Sequence, residues 1–87
     1  VFVGHGVIFI NDRYPRTLNQ YGEMQDEKDW EVIETVIEDG VSLGSGSIIM
    51  CGVTIGQNAI IGAGTIVTKD IPPGKKAYGN PLIVKDL

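Results

Sequence analysis

Apolar and polar positions along this chain follow neither a helical period nor a simple alternation. Starting at Ile37 and stepping by six, the positions are Ile37, Leu43, Ile49, Ile55, Ile61 and Val67, all aliphatic. Three residues further on in each hexad stand Gly40, Gly46, Gly52, Asn58, Gly64 and Asp70. These residue types tolerate a left-handed backbone better than most. One residue later come Val41, Ser47, Val53, Ala59, Thr65 and Ile71, mostly small. Each hexad thus offers a large inward residue, a corner with an unusual backbone, and a small inward residue. A 3.6-residue period does not keep one column aliphatic six times running, and twelve glycines oppose helix. The hexapeptide repeat predicts an all-β fold, a parallel β-helix with three strands per coil. Its strands are about four residues long and hydrogen-bond from coil to coil.

The N-terminal segment obeys the same rule in another frame. Val3 to Ile8 forms one hexad, and Phe9-Ile10-Asn11-Asp12 opens the next. By spacing, the strand after Val7–Ile10 is due at residue 13, yet the next clean strand is Thr35–Glu38. One corner is therefore enlarged by 22 residues (35 minus 13), giving an excursion over residues 11–34. Loops of this length within a compact fold are usually functional. The frame also assigns faces. Strands Val7–Ile10, Ser47–Met50 and Thr65–Thr68 stack on one side, pointing Ile8, Ile10, Ile48, Met50, Ile66 and Thr68 outward. A contiguous apolar stripe there reads as a subunit interface. Asn11, Cys51 and Lys69 line the edge after that face, and His5, Ser45 and Ala63 the edge before it.

Composition narrows the function classes. The chain has 87 residues and net charge −4, which gives a nucleic-acid partner no electrostatic support. No apolar run reaches membrane-spanning length. A single cysteine precludes an internal disulfide and fits a reducing, cytoplasmic setting. The 87 residues are expected to form one β-helix domain with residues 73–87 as the closing segment. The chain opens inside strand-like sequence, so upstream coils are expected, and self-association with them.

The six hexads resemble the left-handed β-helix of hexapeptide-repeat acyltransferases. The ending "VTKDIPPGKKAYGNP" resembles the close of that domain. The opening "VFVGHGVIFINDRYPR", the loop to "DW" and the later "CGVTIG" resemble bacterial N-acetyltransferases that modify an amino group on a nucleotide-linked sugar. The resemblance implies a left-handed coil and a homotrimer joined through the Ile8/Ile10, Ile48/Met50 and Ile66 face. It also implies acetyl-CoA in the groove between two prisms and the sugar near the excursion. Upstream coils and a neighbouring subunit complete the sugar site in that family, so this segment alone is not expected to hold a complete one.

Acetyl transfer from a thioester to an amine needs a neutral amine, a close carbonyl and donors for the developing oxyanion. The resemblance sets Asn11 beside the sugar amine as an orienting partner. His5, whose side-chain type titrates near neutrality, suits a general base; its plainer role is a corner residue between two glycines. Asp12, Arg13, Tyr14 and Arg16 open the excursion as substrate contacts, the arginines suiting a carboxylate or pyrophosphate. Trp30 anchors the return of the loop. Gly52, Ala63 and Gly64 leave room for a pantetheine arm, while Lys69, Lys75 and Lys76 suit nucleotide phosphates. Cys51 reads as small packing at an outward corner, with nothing nearby to activate a thiolate. No metal is called for, because a zinc enzyme on this scaffold needs three histidine ligands and the chain has one histidine. The competing readings are a non-catalytic β-helix scaffold or binding module and an O-acetyltransferase with another acceptor. The polar "NDRYPR" beside an apolar stripe argues against a plain scaffold.

Overall fold

The structure is a computed structural model describing residues 1–11 and 33–87. Among the described residues, eight short strands follow the hexad rhythm: β1 (Phe2–Val3), β2 (Ile8–Phe9), β3 (Val36–Ile37), β4 (Ser42–Leu43), β5 (Ile48–Ile49), β6 (Thr54–Ile55), β7 (Ile60–Ile61) and β8 (Ile66–Val67). Two longer strands close the chain, β9 (Lys75–Tyr78) and β10 (Ile83–Asp86). They assemble into three sheets, ordered β1-β4-β7-β9-β10, β2-β5-β8 and β3-β6. Every pairing between coils is parallel, and β10 turns back antiparallel on β9. This is the three-sided parallel β-helix that the hexads predict.

The ladders are shorter than four residues because each strand bends into its corners. Hydrogen bonds nevertheless flank each pair: Ile8 N donates to Ser47 O and Ile10 N to Ile49 O. The register also measures the insertion. Ile48 pairs with Ile66, 18 positions on, whereas Ile8 pairs with Ile48, 40 positions on. The difference, 40 − 18 = 22, matches the spacing argument, and Val36 pairing with Thr54 at 18 confines it between β2 and β3.

Both inward columns fill the axis. Leu43, Ile49, Ile55, Ile61 and Val67 are buried, as are Val41, Ser47, Val53, Ala59, Thr65 and Ile71, and Ile37 is half-buried. Each large aliphatic contributes about 1.5–3 kcal/mol by leaving water. Val3 and Phe9, in register with Leu43 and Ile49, are exposed.

Five of the six predicted corners take positive φ, with Asn58 at 63° matching Gly46 at 73°. Asp70 does not. Its carboxylate instead accepts the Thr54 amide at 2.8 Å. The chain leaves the repeat there, Ile71 making a single bridge to Ile55. Cys51 is also corrected: expected outward, it is buried, as suits a small apolar thiol.

Candidate active site

Sheet β2-β5-β8 carries the outward stripe. Ile10, Ile48 and Met50 are half-buried, while Ile8, Ile66 and Thr68 are exposed. Two corner edges border this face, and the hydrogen bonds fix what lies on each.

The edge before the face stacks His5, Ser45 and Ala63. Gly46 N donates to His5 O at 2.8 Å and Gly64 N to Ser45 O at 2.9 Å, so the corners follow one another at the coil spacing. The His5 amide also donates to Ser45 Oγ at 3.1 Å. His5, Ala63 and Gly64 are exposed. At the Ala63–Gly64 corner, alanine and glycine leave this edge without bulk, so an extended ligand can lie close to the backbone there.

The edge after the face carries Asn11, Gly52 and Lys69. Asn11 and Lys69 are exposed, and Gly52 is half-buried with its amide donated to Thr35 Oγ1 at 3.1 Å. Lys75 and Lys76 stand apart from both edges, on β9 in the sheet β1-β4-β7-β9-β10. Lys76 is exposed, and the Lys75 ammonium is paired with the Asp86 carboxylate. Such an exposed pair is worth about 0–1 kcal/mol and yields readily to a phosphate. Asp12, Arg13, Tyr14, Arg16 and Trp30 lie outside the described residues.

The structure therefore divides the candidate residues. His5, Ala63 and Gly64 share one edge; Asn11, Gly52 and Lys69 share the other. Between the corners runs β2 with its flanks, and Gly6 to Ile10 alone spans about 13 Å of strand. A single amine cannot touch both His5 and Asn11 of one chain. Two residues that the corner columns already hold support these edges in roles the pattern did not assign: Ser45, stacked on His5, holds the His5 backbone, and Asp70 caps Thr54. Asp70 was findable as an acid where the column otherwise has glycine or asparagine.

Comparison with known proteins agrees with this architecture. Residues 34–69 match the bacterial transferase hexapeptide model of six repeats. A galactoside O-acetyltransferase of Lactococcus lactis is 55% identical over 49 residues, covering 56% of this chain and 24% of the relative. A dTDP-3-amino-3,6-dideoxy-alpha-D-galactopyranose 3-N-acetyltransferase of Aneurinibacillus thermoaerophilus is 47% identical over 51 residues, covering 59% and 27%. The chain thus spans about a quarter of the length of these two relatives. Among solved structures, a galactoside acetyltransferase in complex with coenzyme A superposes with a TM-score of 0.75 at 35% identity, over 97% of this chain and 40% of that one. The coil is a left-handed β-helix. Residues 34–69 carry the match to the hexapeptide-repeat transferases, and the chain resembles acetyltransferases built on that repeat, an amino-sugar N-acetyltransferase among them.

Proposed function

We propose that this chain is part of a cytoplasmic, acetyl-CoA-dependent N-acetyltransferase acting on the amino group of a nucleotide-linked amino sugar. The observation that carries the reading is the apolar face of β2, β5 and β8 with a polar edge on either side. A second copy packed on that face brings the His5 edge of one chain toward the Asn11 edge of another. It would also cover Ile8, Ile48, Met50 and Ile66. The division of residues within one chain thereby becomes a reason for a homotrimer, with each site built between neighbours. The 87 residues act in this reading as one β-helix domain.

The chemistry follows from the groups available. Pantetheine lies along the Ala63–Gly64 edge, where the absence of bulk lets backbone groups reach it. Gly52 opens the facing edge, and Lys69, Lys76 and Lys75, once freed from Asp86, receive the phosphates. The sugar amine, oriented by the Asn11 carboxamide, attacks the thioester carbonyl. The N–C bond forms, the C–S bond breaks, and the amine proton passes to the departing sulfur directly or through the His5 imidazole. Asp12, Arg13, Tyr14 and Arg16 serve as sugar-nucleotide contacts. The coenzyme A in the galactoside acetyltransferase complex and the amino-sugar N-acetyltransferase among the relatives support this reading.

The galactoside O-acetyltransferase relative supports a second reading, transfer to a hydroxyl. One experiment separates them. The purified full-length protein is incubated with acetyl-CoA and either UDP- and dTDP-linked amino sugars or simple galactosides, and free thiol is followed. Thiol release with the amino sugars is expected. Release with galactosides alone would establish O-transfer, and release with neither would leave a binding scaffold.

A further inference from the structure

The last coil has a feature that the hexad rule does not supply. Along the sheet β2-β5-β8, each strand's first amide donates to the coil above: Ile8 N to Ser47 O at 3.0 Å and Ile48 N to Thr65 O at 2.9 Å. Among the described residues, β8 has no strand above it in that sheet. The equivalent amide, Ile66 N, donates instead to the side chain of Asn80, to Oδ1 at 3.1 Å. The same carboxamide donates through Nδ2 to Gly64 O at 3.3 Å. One residue earlier, Gly79 N donates to Thr65 Oγ1 at 3.3 Å. Thr65 is fully buried, so this hydroxyl has its acceptor role filled from the closing segment. Three hydrogen bonds thus tie residues 79–80 to residues 64–66.

A carboxamide is a peptide group on a side chain, with one acceptor and one donor side in a fixed plane. Asn80 uses both. It stands in for the missing coil, satisfying an edge amide that would otherwise template another strand. It also holds Gly64, whose φ of 71° makes the corner beside exposed Ala63. A corner held from outside by a bifunctional group cannot swing on its glycine as a free turn can.

We propose that Asn80 is a positioning residue. Its side-chain amide replaces a coil of backbone and fixes the Ala63–Gly64 corner against which the thioester arm of the donor lies. The second half rests on the function proposed above. Asn80 touches no reacting atom in this scheme; it acts through the corner. Aspartate at the same position retains an acceptor for Ile66 N but sets a carboxylate against the Gly64 carbonyl, so the two roles can be separated.

The test uses the purified protein and its Asn80→Asp and Asn80→Ala variants, with acetyl-CoA as the probe. Amide hydrogen exchange reads the clamp. Exchange at Ile66 is expected to quicken about tenfold or more in Asn80→Ala and to stay near wild type in Asn80→Asp. Titration and kinetics read the positioning. In both variants KM and Kd for acetyl-CoA are expected to rise about five- to tenfold, with kcat within about twofold, the size of one lost hydrogen bond. Unchanged Ile66 protection in Asn80→Ala would overturn the clamp. Wild-type affinity for acetyl-CoA in both variants would overturn the positioning role and leave the proposed function standing. A wild-type protein without affinity for acetyl-CoA would overturn the functional reading, and the donor-positioning role with it.

Discussion

Gly44 and Gly46 lie two residues apart and are glycine for different reasons. A methyl carbon added at Gly44 would lie 2.5 Å from Ala63 N, 2.7 Å from Gly62 C and 2.8 Å from Ile61 O. All three are backbone atoms of the next coil, so no side chain can swing aside. Ordinary carbon contacts begin near 3.5 Å, so relief requires the coils to separate by about 1 Å. Gly44 N donates to Ile61 O at 2.8 Å, and the same movement stretches that bond past useful length. One lost hydrogen bond costs about 1 kcal/mol, and overpacking adds about 1–3 kcal/mol. We expect Gly44→Ala to lower stability by about 3 kcal/mol. At Gly46 the nearest atom is 4.0 Å from the added carbon, and the obstacle is a φ of 73°. The left-handed backbone costs alanine about 1–2 kcal/mol, against a gain of about 0.4–1 kcal/mol from a stiffer unfolded chain. The net loss for Gly46→Ala is about 1 kcal/mol. Gly46→Asn should cost less, since Asn58 already holds φ 63° at an equivalent corner. Urea titrations followed by far-ultraviolet circular dichroism give the three midpoints. A Gly44→Ala loss no larger than that of Gly46→Ala would refute the argument that backbone contact between coils decides this position.

Three further outcomes are expected at Ser47, Asp70 and Asn11. Ser47 is fully buried, and its Oγ has no hydrogen-bond partner among the described residues; Ser47→Ala should raise stability by about 1 kcal/mol in urea titration, and a loss of similar size would mean that the hydroxyl is partnered. Asp70→Ala removes the acceptor of the Thr54 amide and should cost about 1 kcal/mol, whereas Asp70→Asn keeps an oxygen there and should recover most of it; equal midpoints for the two variants would exclude the cap. Asn11→Ala, at an exposed position, should leave the melting temperature within about 1 °C and lower kcat at least tenfold, an approximate floor for a lost orienting group; wild-type turnover would remove Asn11 from the site.

The coil was legible because inward positions in a β-helix recur at a fixed step. Ile37 to Val67 had to be aliphatic wherever the axis was to be dry, and that constraint shows in the one-dimensional string. The insertion was legible for the same reason, since a break in a period is as visible as the period. The corner rule read well where glycine or asparagine supplied positive φ. It failed at Asp70, where a side-chain oxygen took over a backbone partner. Cys51 misled because a corner position states a place on the coil and not how deeply the side chain sits.

The candidate site was legible as residue types and not as an arrangement. Grouping Gly52, Ala63, Gly64 and the lysines as one donor site is reasonable along the string, yet the prism sends them to two edges and a third sheet. His5 and Asn11 are six positions apart in sequence and one strand apart in space, which puts a single amine beyond their common reach. The side-chain stitches of Ser45, Thr65 and Asn80 span 40, 14 and 14 or 16 positions. Sequence by itself determined the period, the core columns and the length of the inserted segment, because each follows from burying every sixth residue. Only the tertiary structure decided which corners share an edge and which side chains substitute for backbone, because those depend on how coils stack, and stacking joins residues that no local pattern connects.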